Sequence, residues 1–507
     1  MKKFRKSIIP FLLVGTLAGL ASCDQEQGGD EKVTVTFFTN LYKENDVNWM
    51  NDVVTKFEAE NENIDIVWEQ SGDYPDIDAQ LTQLLNTPAQ LPSMAVVYED
   101  YVYNYMTQNE DVVLNVDPLM NDSQNGFGKN EGQTEANTTK EDVVQAYLED
   151  GQSYGKEGTY SLPFERTTEV MYYNTDVFEE KGYEVPTNWS EMIELARQIR
   201  ADYPEIFTAD RTGNAGIGAV APIGYDSVDN MIITFCQMAG VPYSGNTDTN
   251  GDGHINKDEA VLFNNDEFRQ LLAVIKGWYD EGLITVSPTL LFAEPYDHWI
   301  NEPFTGNDEA GIPMSSFMVL NSTTGASWCA TDNFVPSVAP MPAMDSNILT
   351  GGEVSATNAD VINQGGSIVF FDKGDEVNQA AWKFYKYITN TENAATFAAS
   401  YGSSPVRNSS FEESAITEIM SKEDPSNCVT GDGSIDDSSA YMTANIYNVV
   451  SEYSENNQGF LAPVSQFSST VRTNLGNIVT EVLRSTATGD ELTQFIDQTV
   501  TEAYEAI

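Results

Sequence analysis

Positive charge is scarce in this sequence. Only 25 Lys and Arg stand against 78 Asp and Glu, for a formal net charge of −53. A surface of that sign repels phosphate backbones, which argues against a nucleic-acid partner. It also stays hydrated and soluble in salt. Histidine is scarcer still. His254 and His298 are the only two, too few to build imidazole catalysis or a zinc centre. The chain contains no Gly-x-Ser-x-Gly elbow, zinc-protease helix, Walker-type phosphate loop or dinucleotide fingerprint. Carboxylate pairs abound by composition alone, so they do not single out a glycosidase centre. These absences point away from an enzyme. Internal repeats are also absent.

Long apolar runs are missing as well. The one candidate, "SIIPFLLVGTLAGLA", is interrupted by Pro10 and glycines and is too short to span a bilayer. It follows the basic residues Lys2, Lys3, Arg5 and Lys6 and ends in Leu20-Ala21-Ser22-Cys23. That order resembles a bacterial lipoprotein signal over residues 1–23, in which Cys23 becomes the lipid-bearing N-terminus. Residues 24–32 then read as a polar tether. The expectation is an exported chain held at the cell membrane by lipid, on its extracellular or periplasmic face. Cys236, Cys329 and Cys428 remain. Three cysteines form at most one bridge with a free thiol left over; three free thiols are the alternative.

The rest of the chain is rich in core-forming residues. Its 24 Phe and 24 Tyr in 507 residues suffice for two to four domains of ordinary size. "VTVTFF" reads as a buried strand. Val47, Met50, Val53, Val54 and Phe57 recur at helical spacing after it. "NIDIVWEQ" predicts a second strand, "YPDIDAQLTQLLN" a helix, and "SMAVVYE" a third strand ending at Tyr98 and Glu99. Strands alternating with helices predict an α/β fold with parallel pairing, whose ligands sit beyond the carboxyl ends of the strands. "LPFERTTEVMYY" predicts an extended run from Pro163 to Tyr173. Asn188, three residues before Glu191, predicts a capped helix burying Met192, Leu195, Ala196 and Ile199.

Gly155-Lys156, Leu162-Pro163, Tyr172-Tyr173-Asn174, Asp176, Phe178, Gly182, Pro186, Trp189 and Glu191 together resemble a tract of the bacterial carbohydrate-uptake solute-binding proteins. These are the maltose-binding-protein-like extracellular receptors of ATP-driven (ABC) importers. Asp73-Tyr74, Tyr98-Glu99 and "PFERTTEV" bring the sequence nearest the glycerol-3-phosphate-binding branch. Ser403 stands where that branch has a tyrosine, and no arginine occupies residues 460–465.

The resemblance implies a two-lobe, type II periplasmic-binding-protein-like fold with hinge crossings and a central cleft. It places one lobe at residues 33–161 and 364–402, the other at 166–343 and 406–507, and crossings near 161–168, 343–366 and 402–405. It implies ligand contacts from Tyr74, Glu99, Arg166, Thr167, Ser316 and Gly366. Arg166 has two readings: it pairs with an anionic ligand group, or with Glu165 or Glu169. Phe317 and Trp328 are aromatic candidates for stacking or for core. The implied solute is a sugar, an oligosaccharide or a glycerophosphate derivative, delivered to a membrane permease.

One motif stands apart from that family. "DTNGDGHINKDE" has the pattern of a calcium loop inserted at residues 246–260. Asp248, Asn250 and Asp252 would offer side-chain oxygens, His254 its carbonyl, Asn256 an oxygen direct or through water, and Glu259 both carboxylate oxygens. Paired flanking helices are not predicted, and "AVLFN" downstream reads as a strand, so a fixed structural Ca2+ clamp outside the ligand cleft is expected rather than a sensor. Two other readings of the whole remain: a surface-anchored glycoside hydrolase, and an adhesive lipoprotein stiffened by calcium.

Overall fold

The computed structural model describes residues 32–130, 133–134, 139–207, 221–251, 255–286, 304–306, 316–331, 333–351, 356–421, 438–456 and 458–507. Cys23, Asp252, His254, His298, Ser315 and Cys428 lie outside them.

Two five-stranded sheets organise the described residues. The first begins with β1 (Val33–Thr39), α1 (Glu44–Glu60), β2 (Ile64–Gln70), α2 (Tyr74–Leu84), β3 (Met94–Val97) and α3 (Glu99–Gln108). β1 pairs in parallel with β2 and β3. The late strand Ser367–Phe370 then joins β3 antiparallel and is itself flanked by Ser161–Pro163. This sheet is covered on both sides. Met94 and Val96 enter one apolar cluster with Phe37 and Trp382, whereas Ala95 and Val97 enter another with Ile77 and Tyr105. Alternation across a pleat sends neighbours to opposite faces, and here both faces are core.

The second sheet runs Pro336–Ala339, Glu169–Asn174, Met318–Ser322, Ile223–Tyr225 and Ile284–Val286 in spatial order. Its core centres on Trp189, stacked on Trp278 at 5.7 Å between centroids and edge-on to Phe235 at 4.6 Å. The separate cores make the molecule an α/β protein with two bodies, as expected.

Several local expectations need correction. Asp46 is buried on α1 and Val47 is only partly so, because Asp46 accepts a hydrogen bond from Ser400 at 3.1 Å. Glu99 does not end a strand; β3 stops at Val97 and Glu99 opens α3, where a helix N-terminus favours a carboxylate. The extended run through Tyr173 divides. Ser161–Pro163 belongs to the first sheet and Glu169–Asn174 to the second, so residues 164–168 are a crossing. Asn188 caps Trp189–Asp202 by accepting from the Glu191 amide at 2.9 Å, but the Glu191 carboxylate turns to the Thr187 amide and hydroxyl. In "AVLFN" Ala260 ends a short helix, and only Val261 makes a β-type bridge, to Ser244. Arg407 stays with the first body, its Nε donating to the Thr389 carbonyl at 2.7 Å. The chain reaches the second body later, where the helix Ser438–Glu455 packs on Pro336–Ala339. Among the described residues, no helix is long and apolar enough to cross a membrane.

The crossings are tied to one another. Thr167 and Gln364 exchange both backbone hydrogen bonds at 2.8 Å, Glu165 N–H donates to the Gly366 carbonyl at 3.0 Å, and Ser404 N–H to the Arg166 carbonyl at 2.6 Å. Gly365 sits at φ +116°, and a Cβ there would lie 2.4 Å from the Glu165 carbonyl oxygen. Only glycine lets these two segments approach so closely.

Candidate ligand cleft

Beyond the ends of β2 and β3, two helix starts present aromatic rings. Tyr74 is the first residue of α2, and Tyr98 precedes α3. Their rings lie 4.1 Å apart. The Tyr74 hydroxyl donates to Glu165 Oε2, which also receives Asn40 Nδ2 and the Tyr401 hydroxyl at 3.4 Å each. Burial pushes the Glu165 carboxyl up to about 7, against the pull of these donors. A matching acid lies on the other side of the crossing. Glu169 Oε2 receives the Tyr225 hydroxyl at 2.5 Å, and burial raises this carboxyl to about 7 too.

Next to Glu165 in the chain, Arg166 anchors a buried ion cluster. Arg166 Nη2 lies 2.9 Å from Glu99 Oε1 and 2.8 Å from Ser367 Oγ, and Ser367 Oγ donates in turn to Glu99 at 2.7 Å. Arg166 Nη1 donates to the Glu165 and Gly365 carbonyls. Asp150 stands 3.5 Å away and is held protonated more readily than an ordinary carboxyl by its burial. Arg166 therefore pairs with Glu99 and Asp150, not with Glu165 or Glu169.

A cavity of about 270 Å3 opens beside this cluster. The first body contributes Tyr98 to Tyr101, with Glu99 and Asp100; the crossing contributes Ile362 to Gly365; the second body contributes Tyr243, Ser244 and Arg472. Residues 461–464 close it, and Leu461 and Val464 pack against the first body. Burial lifts the Asp100 carboxyl to about 6. Arg472, on the helix Ser468–Arg484, approaches Asp229 at 3.5 Å and donates to Asn230 Oδ1. Asn230 and Gln364 exchange amide hydrogen bonds at 2.7 and 2.9 Å, which fastens the second body's helix to the crossing.

The sequence-predicted residues take different places. Glu99 and Arg166 line the cavity. Tyr74 backs it through Tyr98. Gly366 lies beneath Tyr74, where a Cβ would meet Val96 at 2.3 Å and Tyr74 at 2.9 Å. Thr167 contributes its backbone to the crossing. Ser316 is remote: fully buried, it donates to the Ala221 carbonyl at 2.9 Å and does not line the cavity. Phe317 is core, packed on Tyr203, and Trp328 is 55% exposed. No local pattern in the sequence singles out Arg472, Tyr243, Ser244, Asp100 or Asp150 as cavity residues.

No described residue of the acidic loop lines the cavity, but the loop is joined to its wall. The Gly245 amide donates to the Ala260 carbonyl and Leu262 to Tyr243. Glu259 accepts from the Thr249 amide at 2.7 Å and hydroxyl at 2.6 Å, from the Asn250 amide at 3.0 Å and from the Asn256 amide at 2.9 Å. These donors hold its carboxyl down at about 2. Asp248 Oδ1 accepts from the Gly251 amide at 2.7 Å. Among the described residues, Cys236 and Cys329 are buried free thiols.

Solved proteins share this two-body plan. Cyclic α-maltosyl-1,6-maltose binding protein from Arthrobacter globiformis superposes with a TM-score of 0.62 at 15% identity, covering 94% of this chain and 100% of that one. UgpB from Mycobacterium tuberculosis, solved with glycerophosphocholine, gives 0.60 at 14% identity over 94% and 98%. The sugar-binding protein MalE from Xanthomonas citri gives 0.61 at 15% identity over 93% and 98%. At such identities the likeness is one of fold. No curated protein matches the sequence. Residues 52–425 match the family described as bacterial extracellular solute-binding protein, and the chain belongs to that family.

Proposed function

We propose that this chain is the lipid-anchored substrate-binding receptor of an ABC importer, taking a sugar-type solute between its two bodies and delivering it to a membrane permease. The observation that carries this reading is the cavity of about 270 Å3 whose walls come from both bodies and from the crossing between them. A site built this way couples ligand contact to the angle between the bodies, which is the hinge closure used by periplasmic receptors. Related folds support a carbohydrate-type ligand, since the Arthrobacter protein is named for a cyclic maltosyl sugar. Attachment through Cys23 rests on the leader and its cysteine.

The acidic loop is read as a structural Ca2+ site. Its donors are all oxygens, which suits a hard cation. Asp248, Asn250, Asn256 and Glu259 are described, and Glu259 is held ionised. Bound calcium would supply charge neutralisation for the loop, while Ala260 and Leu262 brace the cavity wall.

The test is a thermal-shift and tryptophan-fluorescence screen with maltose, ribitol, glycerol 3-phosphate and glycerophosphocholine. Mass spectrometry of the probe after incubation completes it. Saturable binding with the probe recovered intact supports a receptor. A hydrolysed probe would replace this reading with an enzyme.

A further inference from the structure

Tyr243 and Ser244 form the part of the cavity wall nearest the acidic loop. Their hydroxyls share an unusual state: each is buried and has no hydrogen-bond partner among the described residues. Tyr243 is 5% exposed, so its hydroxyl cannot simply turn to bulk water. Buried polar groups are normally paired, and an orphan needs an explanation. Their backbones are not free to move away, because Tyr243 and Gly245 are bonded to Leu262 and Ala260.

The charges around the same space narrow the missing partner. Both guanidinium groups among the described lining residues already face a carboxylate, Arg166 with Glu99 at 2.9 Å and Arg472 with Asp229 at 3.5 Å, and Arg166 Nε keeps one N–H without a partner. Asp100 and Asp150 add carboxyls to the wall. A phosphate would meet these acids with no spare cation among the described lining residues to balance it. An uncharged polyol meets donors and acceptors of both kinds, and the Tyr98 ring gives an apolar face.

We infer that Tyr243 and Ser244 are solute-reading residues, each hydrogen-bonded through its hydroxyl to an uncharged, hydroxyl-rich ligand, and that the cavity discriminates against phosphorylated solutes. This assignment rests on the receptor reading above.

The experiment compares wild type, Y243F and S244A by isothermal titration with maltose as the uncharged probe and glycerol 3-phosphate as the anionic one. Maltose is expected to bind wild type, and each variant to bind it about two- to tenfold more weakly, the loss of one neutral hydrogen bond. Ligand-free melting temperatures are expected to stay level, since no protein partner is lost. Glycerol 3-phosphate is expected to bind at least about tenfold more weakly than maltose. Equal maltose affinity in wild type and both variants overturns the assignment and leaves the receptor reading standing. Tighter binding of glycerol 3-phosphate than of maltose overturns the discrimination. Failure of both probes to bind wild type removes the sugar-receptor reading and this inference with it.

Discussion

Arg166 and Glu99 meet at 2.9 Å with their side chains only 2% and 6% exposed, 67 residues apart in sequence. The pair joins the first turn of α3 to the crossing between the bodies, and Ser367 and Asp150 complete its surroundings. Removing one member of a buried pair strands the other charge. R166M is therefore expected to lose about 3–5 kcal/mol of stability in urea unfolding. The double variant R166M/E99Q is expected to recover part of that loss, because no charge is left facing a void. Equal stabilities for single and double variants would show that the pair is not the stabilising element.

How much of this was legible in advance depends on the range of the signal. β1, α1 and the helix after Asn188 were readable because spacing and capping act within a few residues. The division of the run from Pro163 to Tyr173 between two sheets was not. A stretch of apolar extended residues does not state which strand it will pair with. Glu99 reads as the end of a strand but opens α3, since a strand leading directly into a helix looks like a longer strand. Arg472 meets Asn230 across 242 residues, a distance over which no local pattern carries information. The resemblance to a family supplied the two-body plan, whereas the identity of the cavity wall came only from the folded chain.

Glu165 and Glu169 predict an inverted pH dependence. Both carboxyls are raised to about 7 by burial, above an unfolded value near 4.5. Between those values the folded chain holds more protons than the unfolded one. Their stabilising contribution is full below about pH 4.5 and is lost as pH rises through 7. Melting temperature is accordingly expected to fall from pH 5 to pH 8. E169Q should flatten that slope by up to one proton's share, roughly 1.4 kcal/mol per pH unit. An unchanged slope in E169Q would mean that Glu169 does not titrate in this window.

The loop around Glu259 predicts a metal-dependent stability. Millimolar calcium is expected to raise the melting temperature of wild type, increasingly with concentration, as for any ligand that binds only the folded state. E259Q should lose that response. Maltose affinity in E259Q is expected to stay within about threefold of wild type, because no described residue from Asp248 to Glu259 lines the cavity. A large loss of affinity would make the loop part of the solute site instead of a brace behind it.

Gly365 offers the sharpest test of the crossing. Its φ of +116° disfavours any side chain, and the nearest obstacle is backbone: the Glu165 carbonyl oxygen, 2.4 Å from the position of a Cβ. Backbone cannot swing aside as a flexible side chain can. The Thr167–Gln364 pairing lies next to it, so G365A must either distort that pairing or part the two segments. Gly182 is the control. It also has a left-handed φ, +67°, at the end of the helix Thr175–Lys181, but no atom of the described residues lies within 4 Å of where its Cβ would stand. G182A then reports backbone strain alone, about 1–2 kcal/mol. G365A carries the same kind of strain plus the clash, and is expected to cost at least about 1 kcal/mol more in urea unfolding. It should also weaken solute binding, since Gly365 lines the cavity and sets the approach of Arg166 to Glu99. Equal costs at the two glycines would mean that the crossing yields easily, and that the contact between its segments does not fix the geometry of the cleft.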